Sequence, residues 1–203
     1  MSASAASVAA DLDFDRTFSI KGEAPQSHYR ATYGSEGKAH EVEIWRDGDR
    51  RLKRRTDDAI ETFVFMPANE VEWRMVVLDL KRRIRTDIDR TNLIRIGHFT
   101  DWFSLSHSLM RPPGAYTLQV DASFRSGEKP LSSCRWYRLT RGTQDSRICW
   151  SGALHLPLLI LNSDNQVQWR VTASDMGPIA ASVFEMRDEG FVRNDANEDI
   201  KGD

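Results

Sequence analysis

Residues 154–161 have the sequence Leu-His-Leu-Pro-Leu-Leu-Ile-Leu, and this stretch decides the fold class. Alternate side chains of a β-strand point to opposite faces. One face would therefore carry Leu154, Leu156, Leu158 and Ile160, and the other Pro157, Leu159 and Leu161. In an antiparallel sheet one face commonly contacts water. A strand that is apolar on both faces requires either a helix that covers the sheet or a concave face that stays apolar because it binds a ligand.

The segments on either side of this stretch alternate in a similar way and predict a meander of antiparallel strands. The first group is His40–Arg46, Arg51–Thr56, Glu61–Met66, Val71–Leu80, Arg83–Asp89 and Asn92–Ile96. The second group is Ala115–Phe124, a hairpin that carries both cysteines, Gly152–Leu161, Gln166–Thr172 and Ser182–Met186. No Pro-, Gly- or Ser-rich linker divides them, so we predict a single mainly β domain at 16–192, a flexible segment at 1–15 and a polar tail at 193–203.

One short amphipathic helix is predicted between the two groups of strands, from Thr100 to Leu109. Thr100 is a suitable N-cap, and Pro112 ends the helix. This helix can cover the apolar strand, and the residues expected to line the contact are Trp102, Phe103, Leu105, Leu156, Leu158 and Ile160. They form either a permanent core or a cavity that opens to admit an acyl chain, and both alternatives stay open.

The two cysteines lie in two strands joined by a turn near Arg141-Gly142. A loop of two or four residues would place Cys134 directly opposite Cys149, at a distance that permits a disulfide. The same register sets Trp136 opposite Arg147 and Arg138 opposite Asp145. The alternative is two reduced cysteines in core positions. A disulfide favours a periplasmic or other extracytoplasmic location, and residues 1–10 are then either the remnant of a cleaved signal or a disordered start.

Motifs for phosphate, dinucleotide, zinc-protease and serine-hydrolase chemistry are missing from the chain, so we expect no enzyme and no cofactor. An uncharacterised enzyme that uses His98, Asp101 or His107 is the alternative. The five histidines are scattered, and no metal site is predicted. Asp195, Asn197 and Asp199 have the spacing of calcium ligands but lack the glycine and glutamate of such a loop.

Charges of both signs are mixed along a chain of 203 residues, in which 28 Lys+Arg against 30 Asp+Glu give a net charge of −2. This balance argues against a nucleic-acid partner. Basic residues cluster on the predicted strands, at 46, 50, 51, 53, 54 and 55 and again at 81, 82, 83, 85, 90 and 95. They form either a solvated face with cross-strand ion pairs or a patch that contacts anionic lipid or a membrane protein.

The order of predicted elements over residues 28–186 resembles that of the periplasmic lipoprotein carriers of the LolA/LolB type. The hairpin Val42–Arg50 resembles their first strands. The resemblance implies a curved antiparallel sheet, or incomplete barrel, closed by short helices over an apolar cavity. It also implies a non-enzymatic carrier or sensor, expected to be a monomer, that binds a lipid or lipoprotein acyl chain. The alternative function is a protein-interaction module of the same fold that uses its basic sheet face and has no internal ligand.

Overall fold

The computed structural model describes residues 11–34, 38–67, 72–89 and 101–195. Several predicted features lie outside these residues, namely the strand Asn92–Ile96 together with Arg90, Arg95, His98, Thr100, Asn197 and Asp199.

The described residues form one curved sheet of twelve strands that does not close into a barrel, and this confirms the predicted mainly β fold. The strands are β1 (Gln26–Tyr33), β2 (His40–Asp47), β3 (Arg51–Thr56), β4 (Ile60–Phe65), β5 (Arg74–Asp79), β6 (Ile84–Asp89), β7 (Thr117–Val120), β8 (Arg135–Arg141), β9 (Gln144–Ser151), β10 (Leu156–Asn162), β11 (Val167–Asp175) and β12 (Val192–Asp195). Their order across the sheet is β12-β6-β5-β4-β3-β2-β1-β11-β10-β9-β8-β7. Neighbouring strands are antiparallel except β12 and β6, which are parallel.

β1 lies in the middle of the sheet and joins two meanders, because it pairs with β2 on one side and with β11 on the other. The sequence pattern predicts no strand here. The β1 residues that face the core are Ser27, Tyr29 and Ala31. Two of the three are small, so the alternation between apolar and polar residues is weak, and the strand is held by its two neighbours rather than by its own pattern.

Within the described residues, three short helices lie beside the sheet: α1 (Phe14–Thr17), α2 (Trp102–His107) and a 3₁₀-helix (Ala181–Phe184). α2 confirms the predicted helix but is shorter, and its N-cap is Asp101, whose carboxylate accepts a hydrogen bond from the Ser104 amide at 2.8 Å. The 3₁₀-helix occupies the predicted strand Ser182–Met186, so that prediction is wrong. The segment crosses the strands instead of pairing with them, and the guanidinium of Arg51 lies over the Phe184 ring at 4.4 Å.

Both ends of the described chain contact the sheet. Phe14 and Phe18 are buried in a cluster with Tyr137 and Trp150 on the face that α1 covers. The predicted boundary between residues 15 and 16 falls inside α1, and the boundary between residues 192 and 193 falls inside β12.

The hairpin β8–β9 carries the predicted disulfide between Cys134 and Cys149, with the two Cα atoms 5.4 Å apart. The predicted register is wrong by two residues, because the turn is Gly142–Thr143 and Arg141 pairs with Gln144. Trp136 is therefore opposite Cys149, and the disulfide runs diagonally between the strands. Arg138 still reaches Asp145 diagonally, with Nε 3.0 Å from Oδ2.

The predicted contact between Trp136 and Arg147 is replaced by a pair of contacts to a third residue. Phe124 packs edge-on against Trp136 at 4.9 Å between ring centroids, and Arg147 lies over the Phe124 ring at 4.4 Å. Phe124 belongs to the loop before β8, which crosses the sheet face opposite to α1 and α2. We call this the outer face, and the face that α1 and α2 contact the inner face.

A second segment crosses the outer face at the other end of the sheet. Met186 and Phe191 pack against a buried cluster formed by Phe63, Val76 and Leu78 of β4 and β5. Arg85 ties this segment to β6, because its guanidinium lies 2.6 Å from Asp188. The sheet is thus covered on its inner face by helices and on its outer face by two crossing segments.

Candidate functional site

α2 lies on the inner face of the sheet and presents an unusual set of side chains to it. The buried residues of this helix are Ser104, Leu105, Ser106 and His107. Leu105 belongs to the main core cluster with Tyr29 and Ile44. Trp102 packs against the same cluster and Phe103 against a second one. The hydroxyls of Ser104 and Ser106 donate within the helix segment, to Asp101 and to the Trp102 carbonyl. α2 is therefore held by these apolar contacts together with two hydrogen bonds to other elements.

One of these hydrogen bonds joins α2 to the centre of the sheet. The hydroxyl of Tyr29 in β1 donates to the carbonyl oxygen of Ser106 at 2.9 Å. Tyr29 is almost completely buried, and this burial raises the pKa of its phenol to about 12. The phenol therefore remains a hydrogen-bond donor at every physiological pH.

A buried ionic network makes the second connection between α2 and the sheet. Glu23, in the chain before β1, accepts from His107 Nε2 at 2.8 Å through one oxygen and lies 3.1 Å from Arg46 Nη1 through the other. Arg46 is 3% exposed and also donates to Ser27 Oγ at 3.1 Å and to the carbonyl oxygen of Ala24 at 2.8 Å. Each charge in the network has a partner, as buried charges require.

One residue of this network, Arg46, could be recognised from the sequence pattern. Arg46 lies two residues after Ile44 and four after Val42, so it points to the same face of the strand as these two core residues. Glu23 and Tyr29 carried no such signal, because they lie before the first predicted strand.

The six residues predicted to line an apolar cavity lie in two adjacent clusters. Leu105, Leu156 and Leu158 are buried in the main core cluster, and Trp102 packs against it. Phe103 packs against the second cluster, around Phe14 and Trp150, and Ile160 contacts both clusters. β10 is buried on both of its faces, as its sequence predicted.

An open cleft of about 250 Å³ lies where α1 and α2 meet. Its apolar lining is Phe14, Phe18, Ile20 and Phe103, and Asp15 and Ser19 complete it. Of the six predicted cavity residues, Phe103 contributes to this cleft. The apolar contact between the helices and the sheet thus reaches the surface at this point.

The basic residues of β2 and β3 do not form one basic face. Arg46 is turned inward, while Lys53 pairs with Glu61 at 2.8 Å and Arg51 pairs with Asp47 at 2.8 Å on the outer face. Glu43 of β2 also has charged or polar neighbours. Burial raises its pKa, but hydrogen bonds from Arg30 and His28 outweigh this effect and hold the pKa below its usual value. The arrangement matches the solvated face with cross-strand ion pairs that the mixed charges indicate.

His107 and Asp101, the enzyme candidates that fall within the described residues, both have structural partners. Asp101 caps α2, and His107 is buried between Glu23 and Ser106, whose Oγ lies 2.8 Å from Nδ1. In the described ranges, no group of three or more His, Cys, Asp or Glu side chains could hold a metal ion. No helix among the same residues is long and apolar enough to span a membrane.

The fold and this site define a mainly β protein with one open, curved sheet, a short helix held over its inner face by hydrogen bonds, and one disulfide. No protein-family model and no curated protein matches the sequence.

Among solved structures, the chain is similar to MucB, with 16% identity and a TM-score of 0.44. The match covers 88% of this chain and 63% of that one. It is also similar to MucB in the crystal structure of MucB in complex with MucA(peri), with 18% identity and a TM-score of 0.41 over 82% of this chain and 56% of that one. The chain therefore spans about three fifths of the length of these proteins.

Proposed function

We propose that this protein is a non-enzymatic, extracytoplasmic carrier or sensor that binds an apolar ligand, such as a lipid or lipoprotein acyl chain, between α2 and the inner face of the sheet. The observation that carries the proposal is that α2, a helix of only six residues, covers an apolar sheet face, and that this contact reaches the surface in the cleft lined by Phe14, Phe18, Ile20 and Phe103.

The energetics favour movement of α2 over movement of β10. Lifting α2 exposes the buried Leu105, at a cost of about 1.5–3 kcal/mol, and breaks the packing of Trp102 and Phe103, at up to about the same cost each. The hydrogen bonds from Tyr29 to Ser106 and between His107 and Glu23 are exchanged for bonds to water, at about 0.5–1.5 kcal/mol each. An acyl chain gains about 0.8 kcal/mol for each methylene that it buries. A chain of about sixteen methylenes, which gains about 13 kcal/mol, therefore gains more than the opening costs, before its own loss of freedom on binding.

The disulfide supports the proposed compartment. Cys134 and Cys149 are bonded, and disulfides persist in secreted and periplasmic proteins, whereas cytosolic thiols are kept reduced.

The substitution Tyr29→Phe tests the proposal, because it removes the hydroxyl that bonds to the Ser106 carbonyl and keeps the ring. Loss of one hydrogen bond of about 1 kcal/mol should make α2 open about fivefold more often. We expect a fluorescent fatty acid to associate correspondingly faster, measured by stopped-flow fluorescence. Tyr116→Phe is the matched control, since its hydroxyl accepts from the Phe14 amide at 3.1 Å and makes no bond to α2.

Two results would contradict the proposal. One is equal association rates for the wild type, Tyr29→Phe and Tyr116→Phe. The other is a wild-type protein that takes up no fluorescent fatty acid and releases no lipid on solvent extraction. Either result would show that the inner-face contact is a permanent core.

A further inference from the structure

Another cleft, of about 460 Å³, lies at the end of the sheet where β8 begins, β9 turns into β10 and the chain leaves α1. We call it the β8 cleft. It is lined by Thr17, Ser19, Ser133, Cys134, Arg135, Tyr137, Trp150, Gly152, Ala153 and His155. The β8 cleft shares Ser19 with the cleft between α1 and α2, and its Trp150 lies in the cluster that Phe103 contacts. Arg135 lines the β8 cleft and not the cleft between α1 and α2.

The charge of the β8 cleft comes from one side chain. Arg135 lies opposite Trp150 in the strand register, and its guanidinium is 5.7 Å from the centre of the Tyr137 ring. The lining includes no aspartate or glutamate. Across the described ranges, no carboxylate lies within ion-pair distance of Arg135. The cleft thus has a single permanent positive charge beside two aromatic rings.

A second polar side chain in the β8 cleft, His155, is oriented by the backbone. His155 lies in the β9–β10 turn with φ of 51°, in the left-handed region. Its Nδ1 is 2.9 Å from the carbonyl oxygen of Ser19. A carbonyl oxygen only accepts, so Nδ1 carries a proton and donates it. In the neutral ring Nε2 is then unprotonated and can only accept a hydrogen bond from a ligand. It has no hydrogen-bond partner within the described part of the chain.

The walls of the β8 cleft are fixed to one another. The disulfide holds Cys134 to β9, and the bond between His155 and Ser19 joins the β9–β10 turn to the chain after α1. Phe18 packs edge-on against the Trp150 ring at 5.2 Å. A cleft that is already rigid loses little entropy when a ligand binds.

We propose that the β8 cleft binds a small monoanion that carries an apolar group, with its carboxylate on the guanidinium of Arg135 and its apolar part against Trp150 and Tyr137. One permanent positive charge matches one negative charge, and a guanidinium binds a planar carboxylate through two parallel hydrogen bonds. The hydroxyls of Ser19 and Ser133 supply further hydrogen bonds at the rim. A free fatty acid and the C-terminus of a peptide both present this chemistry.

Isothermal titration calorimetry of the full chain with four probes tests the site. Octanoate and octanamide differ mainly in the charge of the head group and represent a fatty acid, and N-acetyl-phenylalanine and its amide differ in the same way and represent a peptide C-terminus. Arg135→Met removes the charge at nearly constant length. Arg141→Met is the matched control, because Arg141 is exposed at the far end of the same strand.

We expect at least one carboxylate probe to bind the wild type about tenfold more tightly than its neutral counterpart. Arg135→Met should weaken that binding by about tenfold, Arg135→Lys by less, and Arg141→Met by under about twofold. The pair of probes that shows the difference identifies the source of the carboxylate. Tyr29→Phe should not change the affinity for the carboxylate probe, and this result would separate the β8 cleft from the contact below α2.

Equal affinity for charged and neutral probes would overturn the proposal, and so would equal effects of Arg135→Met and Arg141→Met. No heat with any of the four probes at millimolar concentration would also overturn it. If Arg135→Met does not fold, Arg135→Lys is used instead. A contact with the guanidinium is excluded if Arg135→Lys binds the carboxylate probe as tightly as the wild type does and binds the neutral probe equally well.

Discussion

Removal of the disulfide by the double substitution Cys134→Ala and Cys149→Ala gives a prediction whose size follows from the structure. The two cysteines are 15 residues apart, and closing a loop of this length restricts the unfolded chain by about 3 kcal/mol. Cys149 is completely buried, so its truncation adds about 1 kcal/mol. We expect the unfolding free energy to fall by about 3–4 kcal/mol, and Tm by about 10 °C for a chain of this size.

Urea denaturation followed by tryptophan fluorescence measures this loss. The wild type after reduction is the control, since it lacks the covalent bond but keeps both side chains and should lose about 3 kcal/mol. A reduced and an oxidised wild type with the same urea midpoint would refute the reasoning. In that case the cysteines are not bonded in solution, or the pairing of β8 with β9 already persists in the unfolded chain.

Three other groups give expected outcomes of the same kind. Glu23→Gln leaves the guanidinium of Arg46 buried without a carboxylate, and urea denaturation should show a loss of about 3 kcal/mol; an unchanged midpoint would contradict the ionic role of Glu23. A hydrogen bond from Arg85 lowers the pKa of Asp188, so its contribution is present at neutral pH and is lost as the pH falls through that pKa, below about 4. Asp188→Asn should therefore flatten the acid side of the Tm–pH curve, and a curve like that of the wild type would count against the link. Burial raises the pKa of Tyr29 to about 12, so stability should fall as the pH rises above about 10, and ultraviolet titration should show one of the four tyrosines ionising late.

The strands that could be predicted from the sequence are those with strong alternation or with two apolar faces. β10 is the clearest case, because seven of the eight residues at 154–161 are apolar and both faces of the strand are buried. β1 could not be predicted, because its core-facing positions include Ser27 and Ala31. Its place in the sheet is set by pairing with β2 and β11, which is a long-range property.

The cysteine hairpin shows a different limit of sequence reasoning. The alternation of β8 and β9 fits registers that differ by two residues equally well, because side chains return to the same face after two positions. The turn decides between them, and here Gly142 takes the left-handed conformation at φ of 56°. The disulfide was still predicted correctly, since a diagonal pair at 5.4 Å between Cα atoms also permits the bond.

The site was predicted only in its apolar part. Leu105, Leu156 and Leu158 do lie in one cluster, since they occupy regular positions on a helix and a strand. The polar groups that hold α2 come from Glu23 and Tyr29, which are about 80 residues away along the chain. A local sequence pattern carries no information about contacts between residues that are so far apart in the chain.

The central place of β1 also sets the order in which the molecule can assemble. β1 ends at Tyr33 and its partner β11 begins at Val167, so the two halves of the sheet cannot join until most of the chain has been synthesised. Before that point the edge of β1 that pairs with β11 has no partner, although its other edge can pair with β2, and the inner face is only half formed. A chain that emerges gradually from a ribosome or a translocation channel therefore stays incompletely folded until β11 arrives, and folding should be slow because the decisive contacts are so far apart in sequence.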